Sequence, residues 1–112
     1  MNNIYHITTK KLWEEAKMSG IYTNQSIGDV GFIHCSTKEQ TTPTLNRRYK
    51  GVKDLVLLEL DPEKIKVRVV YEDLRGIGEE HPHVYGEIPL EAVIDVCELV
   101  LGEDGLFDRI WS

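Results

Sequence analysis

Residues 54–61 read DLVLLELD. Leu55, Val56, Leu57, Leu58 and Leu60 leave only Glu59 polar inside the run. A strand with one wet face alternates apolar and polar residues. This stretch does not, which is the pattern of a central strand covered on both sides. Such a strand needs partners, and the rest of the chain offers them. Ile4, Tyr5 and Ile7 form a short β-prone run, with His6 on the opposite face from Tyr5 and Ile7. "GFIHCS" (31–36) reads as a strand bounded by Gly31 and Ser36. "VRVVYED" (67–73) alternates Val67, Val69 and Tyr71 against Arg68, Val70 and Glu72, as a half-buried strand should. "AVIDVCELVL" (92–101) is dense in Val and Ile, which favours strand over helix.

Helical signals fall in the first half. In "TTKKLWEEAKMSG" (8–20), Thr8 or Thr9 is a cap, Leu12, Trp13 and Ala16 make an apolar stripe, and Gly20 is a stop. After "GFIHCS", Ser36 or Thr37 caps a second helical segment, with Glu39 or Gln40 at capping-box distance. Pro43 interrupts it, and a restart there carries the helix to Tyr49. "IYTNQSIGDV" (21–30) has turn chemistry and reads as a loop, as does the Gly-rich "LRGIGEEHPH" (74–83). Trp111, in the terminal "LFDRIWS", is expected to plug the core. The order predicts one small α+β domain over residues 1–112: a mostly antiparallel curved sheet with two helices in its N-terminal half.

The chain is 41% hydrophobic over 112 residues, enough for one core and not for two. Its net charge of −6 argues against an extended nucleic-acid surface or an anionic membrane surface. Arg47, Arg48 and Lys50 form a small basic cluster that suits a single phosphate, or simply the C-terminal end of a solvated helix. Cys35 and Cys97 lie in no CxxC pair and read as free thiols of a reducing compartment. "MNNIYHITTKK" has no apolar core of a signal peptide, and no apolar run approaches the ~20 residues that span a bilayer. A cytoplasmic protein is expected.

Three histidines share a habit. His6, His34 and His83 each sit in or beside a β-prone run, in "IYHIT", "GFIHCS" and "HPHVYG". If those runs are neighbours, the rings can converge on one cleft and trade protons near neutrality. The plainer explanation is three unrelated strand histidines, each bonded locally. Thr8 and Ser36 lie two residues beyond His6 and His34, so each shares a strand face with its histidine. Glu72 closes a strand where a carboxylate can serve such a cleft, or merely mark a polar exit. His81, His83, His34 and Cys35 match no known metal-site spacing, and no metal is expected. Cys35 faces away from the adjacent His34 in a strand, which argues against a Cys–His nucleophile.

"IYHIT", a Trp-containing helix, "GFIHCS", "LVLLELD" and "PHVYGEIPLEAV" follow one another in this order. The sequence resembles the bacterial family known as domain of unknown function 952 over nearly its whole length. That family is thought to be similar to the ADP-ribosyltransferase-like fold, which includes RNA 2′-phosphotransferases. The resemblance implies that His6 and Thr8, in "YHIT", hold a ribose of a nicotinamide dinucleotide. It implies that His34 or Phe32 flanks nicotinamide, with Ser36 bonding beside His34. His83 and Tyr85 would close the pocket, and Arg47 or Arg48 would pair with the pyrophosphate. The resemblance leaves Glu72 or Glu87 as the carboxylate for an oxocarbenium-like transition state, neither of them in a diagnostic motif.

The expectation is therefore a transferase acting on NAD or a related nucleotide through a cleft carrying His6, His34, Glu72 and His83. The alternatives are a non-catalytic module for a small nucleotide-like ligand, and a metal-dependent hydrolase. Acceptor, pathway and oligomeric state leave no trace in the residues.

Overall fold

The computed structural model describes residues 2–107. Trp111, expected in the core, lies outside them. The predicted central strand is β4 (Leu55–Leu60). It pairs antiparallel with β1 (Ile4–Thr9) from Ile4↔Leu60 to Thr9↔Leu55. On its other edge it pairs with β8 (Val93–Leu99) from Leu55↔Leu99 to Leu60↔Val93. Both faces of β4 are covered, as its unbroken apolar run requires. Val56, Leu58 and Leu60 enter one core cluster with Ile4, Tyr22, Ile33, Val84 and Ile88. Leu55 and Leu57 enter a second with Tyr5, Ile7, Leu45 and Phe107. Burying each such leucine stabilises the fold by roughly 2 kcal/mol.

A second antiparallel sheet runs β3 (Ile33–His34), β6 (His81–Val84), β5 (Val69–Glu72). One bridge joins it to the first: Tyr5 N–H donates to Ser36 O at 2.8 Å and Ser36 N–H to Tyr5 O at 2.7 Å. The strands thus follow the order β8-β4-β1-β3-β6-β5, antiparallel throughout. A small ribbon of β2 (Ile21–Tyr22) and β7 (Ile88–Pro89) sits apart.

Helix α1 (Lys10–Ser19) has the ends its sequence announces. Thr9 Oγ1 accepts from Leu12 N–H at 3.1 Å, and Gly20, at φ 87°, closes it. Helix α3 (Thr41–Arg48) starts behind a 3-10 turn at Lys38–Gln40, where Thr37 and Gln40 form the capping box. Pro43 falls in the first turn of α3, where its missing N–H does no harm. No helix among the described residues is long and apolar enough to cross a membrane.

Three expectations are corrected. The 21–30 stretch is not a loop throughout: it holds β2 and a short helix α2 (Ser26–Val30), closed by Gly31 at φ 90°. Two strand residues and five helical ones are too few to show a period. Second, residues 81–84 are a strand, although Pro82 argues against one. Pro82 lacks only a donor, and its carbonyl still accepts from Cys35 N–H at 3.0 Å. Third, Tyr71 does not turn inward with Val69; it is 38% exposed.

Candidate functional site

The β3-β6-β5 sheet has one face in the core and one in a cleft. Ile33, Val84 and Val69 pack inward. The intervening residues face the other way, and the register sets them together: His34 lies opposite His83, and His83 opposite Val70. Glu72, two residues beyond Val70, reaches diagonally to His83, and its Oε1 lies 2.8 Å from His83 Nδ1. The same oxygen accepts a very short hydrogen bond from the Tyr85 hydroxyl. Tyr85 is itself held by Arg68, whose guanidinium lies 4.8 Å from the ring centre. The bonds from Tyr85 and His83 hold the Glu72 carboxyl below its usual range. An ionised carboxylate only accepts, so His83 carries a hydrogen on Nδ1. In the neutral ring Nε2 is then the free base, with no hydrogen-bond partner among the described residues.

Aromatic rings fix this dyad from the side. Phe32 stacks on His83 with centroids 4.0 Å apart and planes at 19°. His34 meets His83 edge-on at 5.6 Å. Burial first, then the Arg48 charge and the neighbouring His83 and His81, hold the His34 pKa below the ordinary histidine value. The opposite wall is the end of α3, with Thr44, Arg47 and Arg48. The hairpin loop between β5 and β6 supplies Asp73, Leu74, Arg75 and Glu79, and His81 follows at the start of β6. The cleft encloses about 120 Å³. That is below the ~300–1,000 Å³ of sites that swallow a whole small ligand, so it suits one end of such a molecule.

Of the expected site residues, Phe32, His34, Ser36, Arg48, Glu72 and His83 line this cleft. Tyr85 stands behind Glu72. His6 and Thr8 do not reach it. They share the inward face of β1 with Ile4, where α1 and β2 cover them. His6 Nδ1 lies 2.6 Å from His34 O and Nε2 2.7 Å from the Tyr22 hydroxyl. A carbonyl only accepts, so Nδ1–H donates to it. Burial pushes the His6 pKa down to about 4, against the pull of that hydrogen bond. The ring is then neutral near pH 7, and Nε2 accepts from the Tyr22 O–H. Tyr22 oxygen in turn accepts from Thr8 Oγ1 at 2.7 Å and Asn24 Nδ2 at 3.0 Å. Both nitrogens of His6 are occupied, so it supports the site and cannot hold a ribose there. Cys35 lies at the cleft wall, but its thiol is buried and its pKa is pushed up by burial, so it is no nucleophile.

Reading the residues alone misses three contributors. Tyr22, the hub of the buried network, sat in an apparent loop. Arg75 lies just before two glycines in "LRGIGEE", where a lone basic residue three positions after Glu72 was the available signal. His81 was weighed only as a metal ligand; lying two residues before His83 on one strand, it shares that face. Among the described residues no three His, Cys, Asp or Glu side chains gather to hold a metal ion.

The family described as "Protein of unknown function (DUF952)" matches residues 7–96. This chain belongs to the DUF952 family. No curated protein matches this DUF952 chain. The crystal structure of CC0527 from Caulobacter crescentus is similar, with a TM-score of 0.83 and 31% identity, covering 96% of this chain and 94% of that one. A double mutant of the same protein gives the same values. Its solution structure gives a TM-score of 0.77 at 32% identity, covering 95% and 91%. The α+β architecture is thus shared across nearly the whole DUF952 chain, and none of these names states an activity.

Proposed function

We propose that this cleft binds one end of a small nucleotide-like ligand, and that His83 moves a proton on it. The observation that carries the reading is the His83–Glu72 contact at 2.8 Å, braced by Tyr85, with the other ring nitrogen left free in the cleft. A buried imidazole oriented by a carboxylate is the usual arrangement of a general base. The resemblance to ADP-ribosyltransferase-like proteins names group transfer from NAD or a related nucleotide as the reaction to test. Within it, His34 and Phe32 take the ligand's ring, Ser36 bonds beside them and Arg48 meets its anionic part. His6 and Thr8 position the strand that carries His34. The free thiols Cys35 and Cys97 support a cytoplasmic setting.

The test is a thermal-shift panel of nucleosides, nucleotides, ADP-ribose and NAD, followed by a product assay, including nicotinamide release. A ligand should raise the melting temperature of the protein and of His83→Gln alike, while turnover in His83→Gln falls about 100-fold or more. Turnover that survives His83→Gln would overturn the proton-transfer role. Binding without turnover would make the domain a ligand-binding module.

A further inference from the structure

We infer that the α3 side of this cleft is a phosphate subsite, in which Arg47, Arg48 and Arg75 take a terminal phosphate monoester. The inference rests on the ligand cleft proposed above and names the class of molecule that enters it. Its argument is independent of proton transfer.

The charges are placed against the trend of the chain. The protein carries a net −6, yet three guanidinium groups line one small concavity. Among the described residues none of the three has a carboxylate within 4.0 Å. Carboxylates are present, but they are engaged elsewhere. Glu72 accepts from His83 and Tyr85. Asp73 accepts from Ile77 N–H at 3.1 Å and Gly78 N–H at 2.6 Å. Glu79 lies 3.5 Å from His81. Guanidinium groups not ion-paired at contact distance keep their N–H donors available to a dianion.

A neutral group points the same way. Thr44, Arg47 and Arg48 are spaced i, i+3, i+4 and share one face of α3. Thr44 is 9% exposed, and its hydroxyl oxygen is buried without a hydrogen-bond partner among the described residues. His81, on the facing wall, has its Nε2 3.5 Å from Glu79 Oε1 and is not counted with it. An unmatched buried polar group is destabilising, so the Thr44 hydroxyl marks a place where a bonding group is owed. The cleft's 120 Å³ leaves room for a phosphoryl group with its oxygens. Guanidinium groups suit that planar, paired-oxygen recognition better than ammonium does. The patch is concave and small on an acidic protein, so a free phosphate ester fits it and a long phosphate backbone does not.

The experiment is an NMR titration of the isotope-labelled full chain at low salt, using inorganic phosphate, adenosine 5′-monophosphate and adenosine as probes. Phosphate and the nucleotide should shift the amide signals of residues 44–49 and 74–81, and adenosine should not. Arg47→Gln, Arg48→Gln and Arg75→Gln, all at exposed positions, should each weaken phosphate binding about 10-fold, with Arg→Lys falling between. His83→Gln should leave phosphate affinity within about 3-fold, since its ring stands on the sheet wall of the cleft and Arg47 and Arg48 on the α3 wall. Phosphate that shifts signals elsewhere, binds no tighter than adenosine, or binds all three Gln variants as well as the parent overturns the subsite. If phosphate binds here while no ligand is turned over, the subsite stands and proton transfer falls. Turnover of a phosphate-free ligand that is indifferent to all three arginines overturns the subsite alone.

Discussion

His6 Nδ1 donates to the main-chain carbonyl of His34 at 2.6 Å, so a buried histidine on β1 fixes the strand from which a cleft histidine projects. This bond has a pH signature. Unfolded, His6 titrates near its ordinary 6.5; folded, burial holds it at about 4. Between those values the unfolded chain binds more protons, so stability is full above pH 6.5 and falls as the pH drops towards 4. The total loss from this group is roughly 3 kcal/mol. Urea unfolding at pH 7.5 and 4.5 should show the decline, and His6→Gln should flatten it. An equal decline in His6→Gln would assign the effect to other groups.

Tyr22→Phe should be costly although it changes one atom. The lost hydroxyl donates to His6 and accepts from Thr8, both buried on β1, and from the half-buried Asn24. Leaving His6 Nε2 unbonded predicts a loss of about 1–3 kcal/mol. Thr8→Val should then cost less in the Tyr22→Phe background than alone, because its partner is already gone. Additive losses would show that the three groups are not one network.

Glu72→Gln should disturb His83 and leave the fold intact. The carboxylate fixes which nitrogen of the neutral ring carries the proton, whereas a carboxamide can present either its oxygen or its amino group to Nδ1. Nitrogen-detected NMR of His83 should show the Nδ1–H form in the parent and a mixture in Glu72→Gln. Tyr85→Phe should give a milder change, since it removes one of the two bonds on Glu72 Oε1. Identical His83 signals in all three proteins would deny Glu72 its orienting role.

How far these features could be read in advance depended on whether their cause was local. Burial of β4 on both faces follows from its own run of leucines, and the α1 caps from Thr9 and Gly20. The parity of β1 was legible too, with His6 opposite Tyr5 and Ile7. That the His6 face would be covered as well was not, because that depends on Tyr22, delivered by a two-residue strand paired with Ile88 far along the chain. The same holds for the cleft. His34 and His83 announced themselves by residue type, and the register between β3 and β6 brings them together. Arg75 and His81 carry no motif and are placed by the hairpin β5-β6, whose second strand contains a proline that local rules discourage.

The bend after Tyr85 gives a last test of how the Glu72 brace is supported. Gly86 has φ 156°, and a Cβ built there would stand 2.8 Å from Val67 Cγ1 and 3.2 Å from Val67 Cβ and Cγ2. Real Cβ atoms do not approach that closely, so Gly86→Ala must push Val67 or its own strand aside, at about 1–3 kcal/mol. Val67 is half-buried and packs on the larger core cluster, so Val67→Ala is destabilising by itself. Combined, the two changes remove the contacts with both Cγ atoms and leave the 3.2 Å one with Val67 Cβ. Urea unfolding should therefore show the double variant less destabilised than the sum of the singles, by about 1 kcal/mol. The displaced strand would carry Tyr85 with it, so His83 in Gly86→Ala should also lose part of its Nδ1–H preference, and Val67→Ala should restore it. A strictly additive cycle would mean that Gly86 is conserving backbone freedom there and not space.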